Sequence, residues 1–270
     1  MRKTILITGS TDGIGLATAK KLVALGHQVL LHGRNPEKLK EVERVLSELA
    51  DGGNVESYVS DLSRMADVQA LAKAVIEKHD KLDVLINNAG IFKTPDPVTQ
   101  GGLDVRFAVN TLAPYLLTQR LLPLLGTSGR VVNLSSAAQS PVDPNALTGQ
   151  ARLSNDFDAY AQSKLAITMW SRSTALSLNN AGPMIVAVNP GSLLASKMVK
   201  EGFGMAGKDI GIGADILTRA ALSDEFADAS GQYYDNDSSQ FASPHPDALD
   251  PQKTEKVIAA IEAVLAETTR

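Results

Sequence analysis

Short apolar runs recur along the chain, and longer segments of mixed polarity separate them. Six runs are rich in Val, Ile and Leu: TILIT (4–8), QVLLH (28–32), VESYV (55–59), DVLIN (83–87), RVVNL (130–134) and MIVAVN (184–189). Near-continuous apolar runs of this length are typical of strands in a parallel sheet covered on both faces. The stretch SGQYYDND (230–237) is a candidate for one further strand.

The segments between the runs carry the apolar spacing of amphipathic helices. In GLATAKKLVALG, Leu16, Leu22 and Val23 share one side of a helix, and Gly26 supplies its C-terminal stop. Crossovers between parallel strands are right-handed. The pattern therefore predicts an α/β fold with a doubly wound parallel β-sheet and helices on both faces. A loop is predicted over 243–251, followed by a C-terminal helix over about 252–268.

Composition narrows the class of protein without changing this fold prediction. The 270 residues are 44% hydrophobic and 21% charged with a net charge of −4, which is ordinary for one globular domain and argues against a nucleic-acid partner. Cysteine is absent and the four histidines lack ligand spacing, so no metal site is predicted. The apolar run near the N-terminus is too short for a signal peptide, and no run reaches membrane-spanning length. We therefore expect a cytoplasmic protein with no membrane partner.

A glycine-rich stretch, TGSTDGIG, follows the first predicted strand. In doubly wound sheets ligands bind outside the carboxyl ends of the strands. Gly9, Gly13 and Gly15 would allow a tight turn that leads into a helix N-terminus, which is a site for anions. The spacing is Gly-x-x-x-Gly-x-Gly rather than the common Gly-x-Gly-x-x-Gly dinucleotide fingerprint. A turn with only a packing role is the alternative.

Tyr160 and Lys164 stand four residues apart in NDFDAYAQSKLAITMW, which has the spacing of a helix. Residues at this separation share one helical face. The two side chains are either an ordinary solvated pair or a phenol and an ammonium held together for chemistry. The spacing alone does not separate these alternatives.

Together with NNAG (87–90), the glycine spacing and the Tyr160-x-x-x-Lys164 pair resemble the short-chain dehydrogenase/reductase family. The motifs follow the family's order and intervals from the first strand to about residue 235. The resemblance implies that residues 1–270 form a single Rossmann-type domain that binds a nicotinamide dinucleotide. It also implies a substrate cleft closed by the C-terminal third of the chain.

The resemblance assigns four catalytic residues. VRFAVNTLAPYLLT resembles the segment with the catalytic asparagine, here Asn110, and RVVNLSSAAQ resembles the strand end with the catalytic serine, here Ser136 rather than Ser135. Tyr160 would exchange a proton with the substrate oxygen, its pKa lowered by Lys164 toward the working pH. Lys164 would also hold the nicotinamide ribose, Ser136 would bind the substrate oxygen, and Asn110 would position a water that feeds protons to Lys164.

The resemblance also predicts the cofactor contacts: Gly9, Ser10, Thr11, Gly13, Ile14, Gly15, Arg34, Asp61, Leu62, Asn88, Ala89, Gly90, Tyr160, Lys164, Pro190, Gly191 and Leu193. Asp61 would accept a hydrogen bond from the adenine amino group. At the end of the second strand Gly33 replaces the acidic residue of NAD-dependent relatives, and Arg34 follows it. A guanidinium matches the 2′-phosphate, so NADP(H) is predicted over NAD(H). The alternative is that Arg34 is an ordinary surface residue.

Two departures from the family pattern concern the substrate side. Ala195 stands where the family usually has threonine, and Ser196 follows it as a possible replacement contact. The interval from Ser136 to Tyr160 is longer than in most of the family and resembles retinol-dehydrogenase-like and protochlorophyllide-reductase-like members. We expect this insertion to shape the substrate mouth, with a distant surface loop as the alternative. The segment at about 195–212 is expected to form a substrate lid.

The leading hypothesis is an NADP(H)-dependent oxidoreductase that transfers a hydride between nicotinamide and a small-molecule carbonyl or alcohol. A C=C reductase of the protochlorophyllide type is one alternative, and a non-catalytic dinucleotide-binding regulator is another. Aromatic residues make up only 4% of the chain, which argues mildly against a stacking pocket for a large planar substrate. The resemblance further implies a homodimer or homotetramer that associates through the helices at 101–125 and 157–179.

Overall fold

A computed structural model describes residues 1–49, 54–179, 181–195, 198, 200, 204 and 206–268. One sheet has eight strands in the order β3-β2-β1-β4-β5-β6-β7-β8, all parallel except β8, which is antiparallel to β7. The strands are β1 Thr4–Ile7, β2 Gln28–Gly33, β3 Val55–Val59, β4 Val84–Asn87, β5 Arg130–Leu134, β6 Met184–Asn189, β7 Tyr233–Asp235 and β8 Gln240–Ala242. The predicted Rossmann-type doubly wound sheet is confirmed.

Helices cover both faces of the sheet. They are α1 Gly13–Ala24, α2 Pro36–Leu49, α3 Met65–Lys78, α4 Val105–Phe107, α5 Ala113–Leu125, α6 Pro144–Leu147, α7 Asp156–Leu178, α8 Gly211–Leu222 and α9 Pro251–Thr268. Helices α1, α2 and α8 share one apolar core with the strands, while α3, α5, α7 and α9 share the other. Alternate strand residues therefore serve different cores, as Leu6 and Ile7 of β1 do.

The catalytic helix predicted from Tyr160 and Lys164 is α7, and it is buried on every side over much of its length. All residues from Ala161 to Ser171 are buried. Helix α9 packs against α7, and Glu262 of α9 accepts a hydrogen bond of 2.9 Å from the Tyr115 hydroxyl on α5. Trp170, fully buried, meets the Tyr115 ring edge-on. The chain itself therefore covers residues 161–171, which lie within one of the two segments through which the resemblance predicts association.

Several elements were not predicted. Strand β8 is one, and a π-helix over Ala108–Leu112 between α4 and α5 is another. Short 3₁₀ helices cover Asp224–Phe226 and Pro246–Leu249, the second of them inside the predicted Pro-rich loop. Within the described ranges, no helix is both long enough and apolar enough to cross a bilayer.

Candidate active site

The predicted catalytic residues meet at the carboxyl edge of the sheet. Ser136 follows β5, and it lines the same cleft as Tyr160, which stands in the first turns of α7. Lys164, one turn further along α7, is buried and donates a hydrogen bond of 2.7 Å to the carbonyl of Leu134. Its Nζ lies 5.7 Å from the centroid of the Tyr160 ring. Ser136 and Tyr160, which could orient and protonate a substrate oxygen, thus line one cleft, and Lys164 lies buried beside the Tyr160 ring.

Burial moves the pKa values of the pair in opposite directions. It raises the pKa of Tyr160, and the hydrogen bond from Ser136 offsets this only in part. Burial also lowers the pKa of Lys164 to about 8. The expectation that the pKa of Tyr160 is lowered is therefore wrong for the protein alone, because desolvation of the phenolate is the largest effect on this group. The phenol is protonated at neutral pH.

Asn110 lies within the π-helix, a local widening that often marks functional sites. Its amide accepts a hydrogen bond from the Ile91 N–H (2.8 Å) and donates to the Ile91 carbonyl (3.0 Å) and to Ser163 Oγ (2.9 Å). A Cβ at Gly90 would lie 3.5 Å from Asn110 Oδ1 and 3.6 Å from Lys164 Nζ, so these groups border one space. The role of Asn110 in holding a water remains a prediction.

The glycine-rich loop packs too tightly for side chains. Gly9 has a φ of +65°, and a Cβ at Gly15 would lie 2.3 Å from the Gly9 carbonyl oxygen. Asn88 Nδ2 donates to the carbonyls of Thr8 (2.9 Å) and Gly9 (3.1 Å), so the predicted NNAG segment braces the loop. Helix α1 begins beside the loop at Gly13, which gives the arrangement that suits a bound pyrophosphate.

The corner at the end of β2 fits a phosphate. Arg34 is exposed, and its side chain forms no hydrogen bond or ion pair with the residues described. A Cβ at Gly33 would lie 2.7 Å from Thr11 Cγ2, so an acidic residue there would require Thr11 to rotate away. Lys38 Nζ pairs with Asp12 Oδ2 at 2.7 Å on the other side of the loop. Lys38 and Asp12 are not among the predicted cofactor contacts, because only the fold brings α2 to this loop.

The predicted adenine and nicotinamide segments are held by local hydrogen bonds. Asp61 Oδ1 accepts hydrogen bonds from Ser63 N (2.9 Å) and Ser63 Oγ (2.8 Å), and Leu62 beside it is buried. After β6, Leu193 has a φ of +56°, which is strained for a leucine. Asp237, which the sequence analysis did not single out, accepts a hydrogen bond of 2.9 Å from the Ser192 N–H and holds this turn.

Among the residues that the structure describes, none that lines the cleft beside Tyr160 has a charged side chain. The lining residues are Ile14, Phe92, Ser135, Ser136, Ala137, Ala138, Phe157, Tyr160, Asn189, Pro190, Gly191, Ser192, Leu193, Leu194 and Met198. Pro190, Gly191 and Leu193, predicted to contact nicotinamide, thus lie on the same cleft as Tyr160. Of the predicted lid, Met198 borders the cleft, whereas Ser196 lies outside the described residues.

The middle of the insertion does not line this cleft. Helix α6 within it packs against α9, Leu147 is fully buried in the core, and the Asp143 N–H donates to Gln162 Oε1 of α7 (2.9 Å). Only the flanks of the interval, Ala137, Ala138 and Phe157, reach the cleft. The expectation that the insertion shapes the substrate mouth is therefore wrong for its middle, which supports α7 and α9 instead.

The sequence profile of the short-chain dehydrogenase family matches residues 3–207. The chain belongs to this family. Retinol dehydrogenase 13 of Homo sapiens is 31% identical over 275 residues, covering 95% of this chain and 82% of that protein, which confirms the predicted retinol-dehydrogenase-like character.

Two solved structures share the architecture. An uncharacterised protein from Mycobacterium paratuberculosis superposes with a TM-score of 0.81 at 28% identity, over 97% of this chain and 92% of that one. A metagenomic short-chain oxidoreductase in complex with NADP has a TM-score of 0.61 at 31% identity, over 81% and 90%. Membership in an oxidoreductase family and the fold around the cleft are thus established independently of single motifs.

Proposed function

We propose that this chain catalyses hydride transfer between NADP(H) and a carbonyl or alcohol, with Tyr160 as general acid or base. The observation that carries the proposal is that Tyr160 and Ser136 line one cleft beside the turn after β6, with the ammonium of buried Lys164 next to the Tyr160 ring. Each of these groups matches one need of carbonyl reduction: a proton donor, a hydrogen bond to the oxygen and a cation behind the donor.

The protonated phenol suits the reductive direction. As negative charge develops on the substrate oxygen, the Ser136 hydroxyl donates a hydrogen bond to that oxygen and Tyr160 transfers its proton to it. Lys164 supplies positive charge on the same helical face as Tyr160 and would hold the nicotinamide ribose. The cofactor, when bound, supplies or accepts the hydride. Asn110 borders Gly90 and Lys164, which supports its proposed place in proton supply.

NADP(H) fits the residues at the adenosine end better than NAD(H). Arg34 offers an exposed guanidinium without a partner in the described chain, and Gly33 removes the carboxylate that would repel a 2′-phosphate. The metagenomic oxidoreductase at 31% identity was solved with NADP. The other proposed contacts are those of the glycine-rich loop (Gly9, Ser10, Thr11, Gly13, Ile14, Gly15), Asp61, Leu62, Asn88, Ala89, Gly90, Tyr160, Lys164, Pro190, Gly191 and Leu193.

The lining of the cleft supports an uncharged, apolar small-molecule substrate. Phe92, Phe157, Leu193 and Met198 contribute apolar surface, and no lysine or arginine that would bind an acidic substrate is among the lining residues described. The name of the relative retinol dehydrogenase 13 is consistent with an apolar alcohol or aldehyde as the substrate. The C=C reductase alternative rests on the length of the insertion alone, and the middle of the insertion is not among the described residues that line the cleft.

A homodimer or homotetramer through α5 and α7 is not part of this proposal, since α9 covers α7. A cytoplasmic location remains a prediction of the sequence.

Turnover with a panel of carbonyls tests the proposed function. Consumption of NADPH by the purified chain would be followed with aliphatic and aromatic aldehydes and, as a matched set, with keto acids of similar length. We expect turnover of the neutral aldehydes and little or none of the keto acids. If NADPH binds and no carbonyl of the panel is reduced, the proposed reduction fails and the dinucleotide-binding regulator becomes the favoured alternative. A preference for keto acids would contradict the substrate class alone.

A further inference from the structure

His32, near the end of β2, is a buried histidine that the catalytic proposal does not use. It is 3% exposed. Its ring contacts two other segments of the cofactor edge: Nδ1 accepts a hydrogen bond of 3.1 Å from the Gly9 N–H, and Nε2 lies 2.9 Å from Ser60 Oγ and 3.2 Å from the Ser60 carbonyl oxygen. One side chain thus joins the loop after β1 to the end of β3.

The backbone of His32 reinforces the first of these contacts. Its carbonyl accepts a hydrogen bond of 3.0 Å from the Ser10 N–H, and its own N–H donates to Ser10 Oγ at 2.9 Å. Ser10 therefore stays aligned with β2 whatever side chain stands at position 32. The ring determines something narrower, which is how Gly9 and Ser60 are placed relative to each other.

The hydrogen bonds define the protonation state of the ring. Because the Gly9 N–H donates to Nδ1, this nitrogen carries no proton, and Nε2 carries the proton that is donated to Ser60. Burial lowers the pKa of His32 to about 4, against the opposing effects of the Ser60 hydrogen bond and the Asp61 charge. The imidazole is therefore neutral at pH 7 and acts through hydrogen-bond geometry rather than charge.

We propose that His32 is a positioning residue for the dinucleotide, which holds Gly9 and the Ser60–Asp61 segment at the spacing that the cofactor requires. The inference deepens the proposed function, since Gly9 and Asp61 are its proposed contacts at the pyrophosphate and the adenine. An ordinary core histidine would need only to fill space and satisfy its own nitrogens. Here Gly9 is itself a proposed contact of the dinucleotide and Ser60 precedes another, Asp61, and the two partners follow different strands, β1 and β3.

Two substitutions separate the hydrogen bond that the His32 ring makes with Gly9 from the one that it makes with Ser60. In His32→Asn, Oδ1 takes the place of Nδ1 and keeps the acceptor for Gly9, while the contact with Ser60 is lost. In His32→Gln, Nε2 keeps the reach of the ring toward Ser60, while the Gly9 N–H loses its acceptor. A matched control is Leu30→Val, a fully buried change on the same strand two residues before His32.

The dissociation constant of NADPH, measured by titration calorimetry on each folded variant, tests the proposal. We expect His32→Gln to weaken NADPH binding about tenfold and His32→Asn to weaken it less, with Leu30→Val unchanged, since losing one positioned hydrogen bond has roughly this effect. At saturating NADPH, kcat should change much less than the KM for NADPH. Thermal melting reports the fold of each variant.

Unchanged affinity in both His32 variants would overturn the inference. So would equal losses in Asn and Gln that scale with the drop in melting temperature, since that result means general loosening. NADPH binding can be measured without turnover. If the wild-type chain binds NADPH but reduces no carbonyl, the catalytic proposal fails, and the binding constants of the His32 variants still test the role of His32. Wild-type chain that binds no dinucleotide overturns both.

Discussion

Tyr160 and Lys164 share one face of α7, and burial makes each of them favour its neutral form. The phenol therefore holds its proton at neutral pH, while the pKa of Lys164 lies near 8, close to the working range of most enzymes. Spacing in the sequence could predict that the two residues meet. It could not predict their pKa values, because those depend on how much of the fold closes over the pair.

Arg34 is the residue on which the choice of cofactor depends. Because its guanidinium has no partner in the described chain and would meet the 2′-phosphate, we expect NADPH to bind at least ~tenfold tighter than NADH. Arg34→Ala should remove most of this preference. Arg120→Ala, an exposed arginine on α5, is the control and should leave it intact. Dissociation constants for the two cofactors measure the ratio, and equal constants in the wild-type chain would refute the assignment.

His32 should also leave a signature in acid stability. Its pKa falls from 6.5 to about 4 on folding, so between these values the unfolded chain binds a proton that the folded chain does not. The free energy of unfolding should therefore decrease as the pH falls through this window, by about 3 kcal/mol from this residue. His32→Asn lacks the contribution. Urea unfolding at several pH values should give a flatter curve for the variant, and parallel curves would contradict the buried neutral ring.

At the scale of elements, the apolar runs were sufficient to predict the strands of the parallel sheet. Strand β8 was not predicted because it has only three residues, Gln240–Ala242, which are exposed or partly buried. The π-helix around Asn110 was not predicted because the spacing of apolar residues does not reveal a local change of helical register. Asp237, Lys38 and the ring of His32 act across contacts between distant segments, and no spacing along the chain encodes them.

We expect the insertion before α7 to contribute to the stability of the fold and not to substrate selectivity. Leu147→Ala removes a fully buried side chain of α6 and should cost about 2–5 kcal/mol of stability. The ratio of kcat/KM for two carbonyls of different size should stay the same, because Leu147 lies outside the cleft. Phe157→Ala, on the cleft, should change that ratio by ~tenfold or more. A changed ratio in Leu147→Ala would instead show that the insertion takes part in substrate selection.

At the scale of the whole molecule, α9 is the element that packs over α7, the helix that carries Tyr160 and Lys164. Val257, Ile261 and Leu265 of α9 are buried in the same core as Trp170. Helix α7 has no free face between Ala161 and Ser171, while a stable interface needs about 800 Å² of accessible surface from each partner. We expect light scattering to give the mass of one chain at micromolar concentration. A stable dimer or tetramer would contradict this and favour the association implied by the family resemblance.

The most direct test of the account is the rate of carbonyl reduction by Tyr160→Phe. The substitution removes one hydroxyl and keeps the ring, so packing and NADPH binding should persist while turnover falls by about 10²–10⁴-fold, the range for losing a general acid. Tyr115→Phe, which removes a hydroxyl bonded to Glu262 away from the cleft, is the matched control and should retain turnover. If Tyr160→Phe reduces an aldehyde at the wild-type rate, Tyr160 is not the proton donor and the proposed chemistry fails.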